Sequence, residues 1–281
     1  MNRWCMNVFE FDELSIYRGK DIPITSKVIV TQPTLSQIEE FGERRYFQAV
    51  QLLTSVGADL KWQLWDAGVD YTQIDDYDLF VGFICRSVSS QKKMYEKLVT
   101  SEEYADKIED ISQEDLESLL TNPLELVLKD IDFADFEPCY LNGTEQIILY
   151  DKERDITIDR FVYTRLVEVV RKIHGFKRNN QIPANEKTKM DLIDDARDDS
   201  MMASMKPYRS TLKSYISAFA IKCGMCANDD SIWNMNIGMF LDGVKRIGKI
   251  RDADSLLQGA YSGFANLKGV DQTRFDWAGD I

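Results

Sequence analysis

Apolar residues at helical spacing, bounded by capping residues, constrain the fold of this chain more than any other sequence feature. Thr34 is followed three residues later by Gln37, which is the spacing of a helix capping box. The apolar residues after it recur on one helical face, namely Leu35, Ile38, Phe41, Ala49, Leu52, Leu53 and Val56. This pattern predicts one amphipathic helix of about five or six turns over 35–56.

Further helices are predicted where the same period recurs between capping residues and terminators. These runs are 159–175, 212–224 and 237–257, with shorter ones over 88–98 and 112–120. The first is the best delimited, because Asp159 suits a helix N-cap and Gly175 suits the left-handed residue that ends a helix. The chain is therefore expected to be mostly helical.

Two segments alternate apolar and polar residues, as strands do. One lies over 7–30, with a turn at Gly19, and the other lies over 145–158, with a turn at 151–154. We therefore predict an α+β fold that is predominantly helical, with two small antiparallel β-hairpin elements.

The predicted organisation has two lobes. An N-terminal lobe over 1–137 contains a β-hairpin, the long helix and an acidic segment, and a C-terminal helical lobe over 138–281 contains the second hairpin. Residues 176–205 are polar, so we expect them to be mobile, with a short charged helix over 186–197.

Charge is concentrated in one segment. The 281 residues carry a net charge of −13, and residues 101–137 alone carry −11. Such a negative field opposes binding to nucleic-acid phosphates. The segment is either a solvated helical face or a surface for a basic partner. A basic stretch over 165–189 is followed at once by acids, which favours an internal or intersubunit charge match.

The composition is that of an ordinary globular protein, with 44% hydrophobic and 29% charged residues. No apolar run approaches the ~18 residues that a membrane span needs. The N-terminus reaches an acidic residue, Glu10, within its first ten positions and lacks the apolar core of a signal peptide. We therefore expect a protein of the cytoplasm or of a larger particle, without a membrane partner.

Residue types that build common catalytic and metal sites are sparse. A single histidine, His174, nearly excludes histidine-dependent triads, and its place at a helix end favours a structural role with the charged form stabilised by the helix dipole. Cys223 and Cys226 have ligand-like spacing but lack a second pair. Asp194 and Asp198 lie one turn apart and could hold a cation, yet such pairs are common without one. No catalytic residue, cofactor or metal is predicted, and the five cysteines are expected to be reduced and mostly buried.

Three glycines, Gly238, Gly243 and Gly248, lie five residues apart. They lack the Lys-Ser/Thr ending and the preceding strand of a phosphate-binding loop. We interpret them as positions of close helix packing.

Aromatic residues are dense over 59–83. Trp62 and Trp65 share a face if this piece is helical, as a base-stacking platform would require. Because the neighbouring charges are acidic, we favour core packing or a subunit interface over nucleic-acid binding.

Three stretches together resemble proteins of tailed phages and prophages of Gram-positive hosts. They are residues 28–43, residues 64–80, and a C-terminal block made of 240–247, 257–264 and 275–277. Within that group the chain resembles the tail assembly chaperone class, which is encoded near the tape-measure protein. None of these stretches carries a catalytic signature.

The resemblance implies a non-enzymatic protein that binds helical segments of the tape-measure protein in the host cytoplasm. Such a role needs an apolar groove that accepts amphipathic helices, and the helix over 35–56 and the two C-terminal helices could supply it. The candidate partner-binding residues are Trp62, Trp65, Tyr71, Phe80, Phe240, Leu241, Val244 and Tyr261.

Two alternatives stay open at this point. One is a structural component of the virion at a neck, tail or baseplate position, and self-association is compatible with either phage role. The other is a carboxylate- or metal-dependent enzyme, for which Asp194 and Asp198 are the best residues.

Overall fold

The computed structural model describes residues 12–85, 122–141, 146–263 and 268–279. It confirms a predominantly helical α+β fold with two small antiparallel sheets. The helices predicted over 88–98 and 112–120, residues 7–11 and most of the acidic segment lie outside the described residues.

The main helices and strands follow in chain order. The helices are α1 (Glu13–Tyr17), α2 (Leu35–Phe41), α3 (Glu43–Thr54), α4 (Lys61–Asp66), α5 (Asp76–Leu79), α6 (Arg160–His174), α7 (Glu186–Ser204), α8 (Thr211–Cys223), α9 (Asp230–Trp233) and α10 (Ile237–Tyr261). The strands are β1 (Ile22–Pro23), β2 (Ile29–Val30), β3 (Glu137–Tyr140), β4 (Ile147–Asp151) and β5 (Ile156–Ile158). A π-helical turn over Phe80–Ile84 follows α5, and 3-10 turns lie at Gly57–Asp59, Phe133–Asp135 and Gln272–Arg274.

The first β element is smaller than predicted. β1 and β2 form a two-stranded antiparallel ladder, but residues 13–17, expected to be extended, form α1. The Asp12 carboxylate accepts a hydrogen bond from the Ser15 amide, at 3.2 Å, and so caps this helix. This bond gives the Ser15 amide a partner at the helix N-terminus. In a strand, the same amide would need a partner on a neighbouring strand.

The long helix predicted over 35–56 is broken in two at Gly42. The capping box of Thr34 and Gln37 is present and starts α2. Gly42 then adopts φ of +100°, and α3 begins at the next residue. This backbone conformation strongly favours glycine, so the apolar stripe continues through a kink rather than along one straight helix.

The second β element has one more strand than the predicted hairpin. β4 and β5 pair antiparallel as expected, and β3 adds to the other side of β4, with Glu137 opposite Tyr150. β3 contains Pro138, and proline within a short run argues against a strand in the sequence. β3 tolerates the proline because it is an edge strand of the sheet, where one side of the backbone has no neighbouring strand to pair with.

The capping predictions for two later helices are confirmed. Asp159 accepts a hydrogen bond from the Val162 amide at 2.8 Å, and Gly175 ends α6 in the left-handed conformation. Gly224 ends α8 in the same way.

Most buried apolar side chains belong to one main core, which draws on α2, α3, α6, α8 and α10 and on both sheets. It includes residues from both sides of the predicted lobe boundary. The Phe80 ring, for example, stacks on the Tyr163 ring with centroids 4.4 Å apart. The division into two lobes stays a prediction, but the described parts of both contribute to the same core.

A second cluster joins α4 to α7. Its buried members are Leu64, Tyr71, Leu79 and Ile193. Residues 186–204 form a helix of 19 residues, which is longer than the one predicted over 186–197. Lys189 and Ile193 are the buried residues of α7, and Met190 packs on the second cluster beside them.

Candidate functional site

A predominantly apolar groove lies between α3, the C-terminal end of α6, α8 and α10. We call it the apolar groove, and its volume is about 460 Å³. It is lined by Glu43, Arg44, Phe47, Gln48, Gln51, His174, Gly175, Phe176, Tyr208, Thr211, Leu212, Tyr215, Leu241, Val244 and Lys245. The resemblance implied a groove supplied by the helix over 35–56 and the two C-terminal helices. Residues of α3, α8 and α10 do line this groove, and the end of α6, which was not part of that expectation, lines it as well.

Glu43 holds the two sides of the apolar groove together. Its carboxylate accepts hydrogen bonds from the backbone amides of Thr211 and Leu212, at 3.0 and 2.9 Å. These amides are at the N-terminus of α8, where a helix has unpaired N–H groups and a favourable potential for an anion. The Tyr208 hydroxyl also hydrogen-bonds to Glu43, and this bond, the nearby negative charge and, above all, partial burial raise the pKa of Tyr208.

His174 is buried at the floor of the groove. Its Nδ1 lies 2.7 Å from the Val170 carbonyl oxygen, and its Nε2 lies 2.7 Å from the Tyr46 hydroxyl oxygen. Because a carbonyl can only accept, Nδ1 carries the proton and Nε2 accepts from Tyr46 in the neutral ring.

Burial lowers the pKa of His174 to about 4. The structural role predicted for this residue is consistent with its contacts, whereas the expected charged form is wrong. Desolvation of a ring that is 4% exposed outweighs the stabilisation from the helix end.

The α10 side of the groove depends on a small residue. A Cβ atom at Gly243 would lie 2.9 Å from the Phe219 ring of α8. At Gly238 it would lie 2.6 Å from the Gln32 side-chain oxygen, whereas Gly248 has open space around it. The interpretation as close helix packing therefore fits Gly243, whereas the near contact of Gly238 is with Gln32, which lies between β2 and α2.

Two cations line the groove. The Arg44 guanidinium carbon lies 5.8 Å from the centre of the Tyr208 ring, and Lys245 Nζ lies 3.4 Å from the Gly175 carbonyl oxygen. Arg44 and Lys245 are both exposed. The groove therefore combines an apolar floor with positive charge at its edge.

The structure does not bring the eight candidate partner-binding residues together in one place. Leu241 and Val244 line the apolar groove, and both are partly buried. Phe80 and Phe240 lie fully buried in the main core, and Tyr71 lies in the second cluster.

The other three candidates have different exposures. Trp62 packs against the second cluster, and Trp65 beside it is 40% exposed, with Lys189 Nζ 5.9 Å from its ring centre. Tyr261, at the end of α10, is 88% exposed and does not line the groove. The core-packing interpretation of the 59–83 aromatics thus holds for Tyr71, Phe80 and Trp62.

Sequence reasoning missed several groove residues. Phe47 lies on α3 and was not part of the apolar stripe assigned to the predicted helix, yet it lines the groove. Tyr208 lies in the polar stretch before α8, and Tyr215 follows Leu212 on the same helix. The sequence signal that could have indicated the groove is the pair Tyr208 and Tyr215, which lie on either side of Ser210, the N-cap residue of α8.

The residues considered for metal or redox chemistry form no such site in the described parts of the chain. No group of three or more His, Cys, Asp or Glu side chains is placed to hold a metal ion there. Cys223 and Cys226 are exposed, against the expectation of mostly buried thiols, and lie at and just after the end of α8. The Asp194 carboxylate forms an ion pair with the Arg197 guanidinium on the same helix, with 3.5 Å between Oδ1 and Nη1. Among the described helices, none is long and apolar enough to span a membrane.

Comparison with known families gives one finding. Residues 204–281 match the model of the YomV second domain, a family associated with phages and prophages. The matched region contains α8, α9 and α10. Of these, α8 and α10 line the apolar groove, whereas α3 and α6 lie outside the matched region. Over these residues the chain is therefore similar to a phage-associated domain family.

No curated protein and no solved structure matches the chain.

Proposed function

We propose that this protein is a non-enzymatic phage morphogenesis factor that binds a helical segment of another phage protein in the apolar groove. The observation that carries the proposal is the groove itself, formed where the phage-associated domain meets α3 and α6. Within this role, the resemblance to tail assembly chaperones favours the tape-measure protein as the partner.

The dimensions of the groove support an inserted helix face rather than an engulfed helix. Its 460 Å³ equals about one turn of a helix ~10 Å across. A partner helix lying across it could bury anchor side chains at positions i, i+3 and i+4. Phe47, Tyr215 and Leu241 offer the apolar contact area that such anchors need.

Co-purification with the tape-measure protein tests this proposal. The two proteins are co-expressed, one is captured, and the recovered complex is quantified. We expect recovery with the native chain and a strong loss with Tyr215→Ala, because truncating an aromatic in a recognition groove removes a large share of contact area. Tyr140→Ala is the matched control, since that aromatic is 70% exposed on β3 and does not line the groove.

Failure to recover the tape-measure protein from the native chain would contradict the tape-measure assignment. Equal loss in both variants would contradict the groove as the binding site. Thermal melting of each variant checks that the fold is kept.

A structural role in the virion is the second candidate. Exposed apolar side chains outside the groove, among them Tyr261 and Trp277, favour a protein with further contacts in an assembly. Mass spectrometry of purified particles separates the two roles. A chaperone should be absent from finished virions, whereas a structural component should be present in fixed stoichiometry.

A further inference from the structure

Charge is divided unevenly between the phage-associated region and the rest of the chain. Residues 204–281 carry ten basic and eight acidic residues, a net +2, whereas residues 1–203 carry −15. The positive part of this acidic protein is therefore the part that forms one side of the apolar groove.

The carboxylate that lines the groove, that of Glu43, already has hydrogen-bond donors from the protein itself. Glu43 accepts from two backbone amides of α8 and from Tyr208, so its charge is compensated by the protein's own donors. Arg44 and Lys245, by contrast, form no ion pair with any residue of the described ranges. Lys206 and Arg209, which flank Tyr208 in the chain, are also exposed and form no ion pair with a described residue.

We propose that the apolar groove selects an acidic amphipathic helix, with large apolar side chains on one face and Asp or Glu along the adjoining edge. This inference rests on the proposed function, since it specifies the chemistry of the segment that the groove binds. The apolar face fits Phe47, Tyr215 and Leu241, and the carboxylates fit Arg44 and Lys245.

Local charge outweighs the net charge of the molecule at this site. A net charge of −13 repels an acidic partner at long range, but at physiological ionic strength this repulsion is screened beyond about 8 Å. Within that distance the partner meets Arg44 and Lys245. Such charges mainly set specificity, because a basic helix placed there suffers repulsion while its apolar contacts stay the same.

Two synthetic peptides test the inference by fluorescence anisotropy with the full-length protein. Both are helical, about four turns long, and carry the same apolar face; one has Glu and the other Lys at the edge positions. We expect the Glu peptide to bind about tenfold tighter at ~0.05 M salt, and the preference to fall severalfold at ~0.5 M.

Charge-removing variants locate the effect. Arg44→Gln and Lys245→Gln should each reduce the preference for the Glu peptide, and both side chains are exposed, so the fold should be kept. Lys222→Gln is the matched control, because Lys222 is an exposed base of α8 that does not line the groove. Loss of preference in the control as well would overturn the assignment to the two lining cations.

The outcomes separate this inference from the proposed function. If both peptides bind equally, and Tyr215→Ala abolishes both, the acidic preference is overturned while helix binding stands. If neither peptide binds and the native chain also fails to capture the tape-measure protein, the proposed function fails. If sedimentation shows self-association that Tyr215→Ala abolishes, a second copy occupies the groove and the inference is overturned.

Discussion

The helices around the apolar groove and the contact between α4 and α7 are held by different forces. Around the groove, α3, α6, α8 and α10 share the main core, and their buried residues include Tyr46, Val170 and Phe240. In the α4–α7 contact, the buried Ile193 and the partly buried Met190 supply the apolar contact of α7, while Lys189 and Arg197 pair with Asp70 and Asp66. A binding surface that rests on a large core can keep its shape, whereas a helix held by two apolar residues and two ion pairs can detach.

The largest effect is expected from truncation of the main core. Phe240→Ala should destabilise the protein by about 3–5 kcal/mol, because it removes a fully buried ring that packs on Phe219, at 5.5 Å between centroids. Phe161→Ala, at a residue that is 58% exposed on α6, should change stability far less. Denaturant unfolding measures both, and equal losses would contradict the contrast between core and surface.

A pH effect of similar size is expected at the groove floor. His174 has an ordinary pKa near 6.5 when unfolded and about 4 when folded. Between these values the unfolded chain binds more protons, so stability present above pH 6.5 is lost as the pH falls through 4. The loss attributable to this residue is roughly 3 kcal/mol.

Comparison with His174→Gln isolates that contribution. Glutamine does not titrate in this range, and its amide can both donate and accept. The free energy of unfolding at pH 7.5 and at pH 4.5 should fall more for the native chain than for the variant. Equal falls would place the acid sensitivity elsewhere, for example at the carboxylates of the α4–α7 contact.

Glycine positions on α10 give a smaller and sharper comparison. Gly243→Ala should destabilise by about 1–3 kcal/mol, because the added carbon would lie 2.9 Å from the Phe219 ring. Gly248→Ala, on the same helix but in open space, should stabilise by about 0.5–1 kcal/mol. Thermal melting of both variants measures these changes. A melting temperature of Gly243→Ala equal to that of the native chain would mean that α8 and α10 can move apart at no cost in stability.

Local signals predicted the parts of the fold that depend on neighbouring residues. Asp159 and Gly175 delimit α6 because capping is decided within a few residues. Gly42 was missed, because an apolar stripe on both sides of a glycine does not reveal a change of backbone conformation. The strand at 137–140 was missed because its pairing with β4 outweighs the proline that it contains.

The candidate site was only partly predictable for a related reason. Helical spacing identifies an apolar face but not whether that face meets the core or a groove. Leu241 lines the groove while the adjacent Phe240 is fully buried, and both were equally good candidates in the sequence. Tyr208 reaches the groove through Glu43, a contact between residues far apart in the chain.

The smallest expected effect concerns the charges that attach α7. Lys189 Nζ lies 2.7 Å from the Asp70 carboxylate, and this bond lowers the pKa of Asp70 and raises the pKa of Lys189. Lys189→Met keeps much of the packing volume but removes the pair, so hydrogen exchange of α7 amides should accelerate while exchange in α6 stays unchanged. Lys187→Met, at an exposed neighbour on the same helix, is the control.

Because Ile193 stays in place in Lys189→Met, hydrogen exchange of α7 should accelerate less in that variant than in Ile193→Ala. The opposite order would mean that charge rather than apolar burial holds α7 on the protein. It would then reverse the comparison between the α4–α7 contact and the helices around the groove.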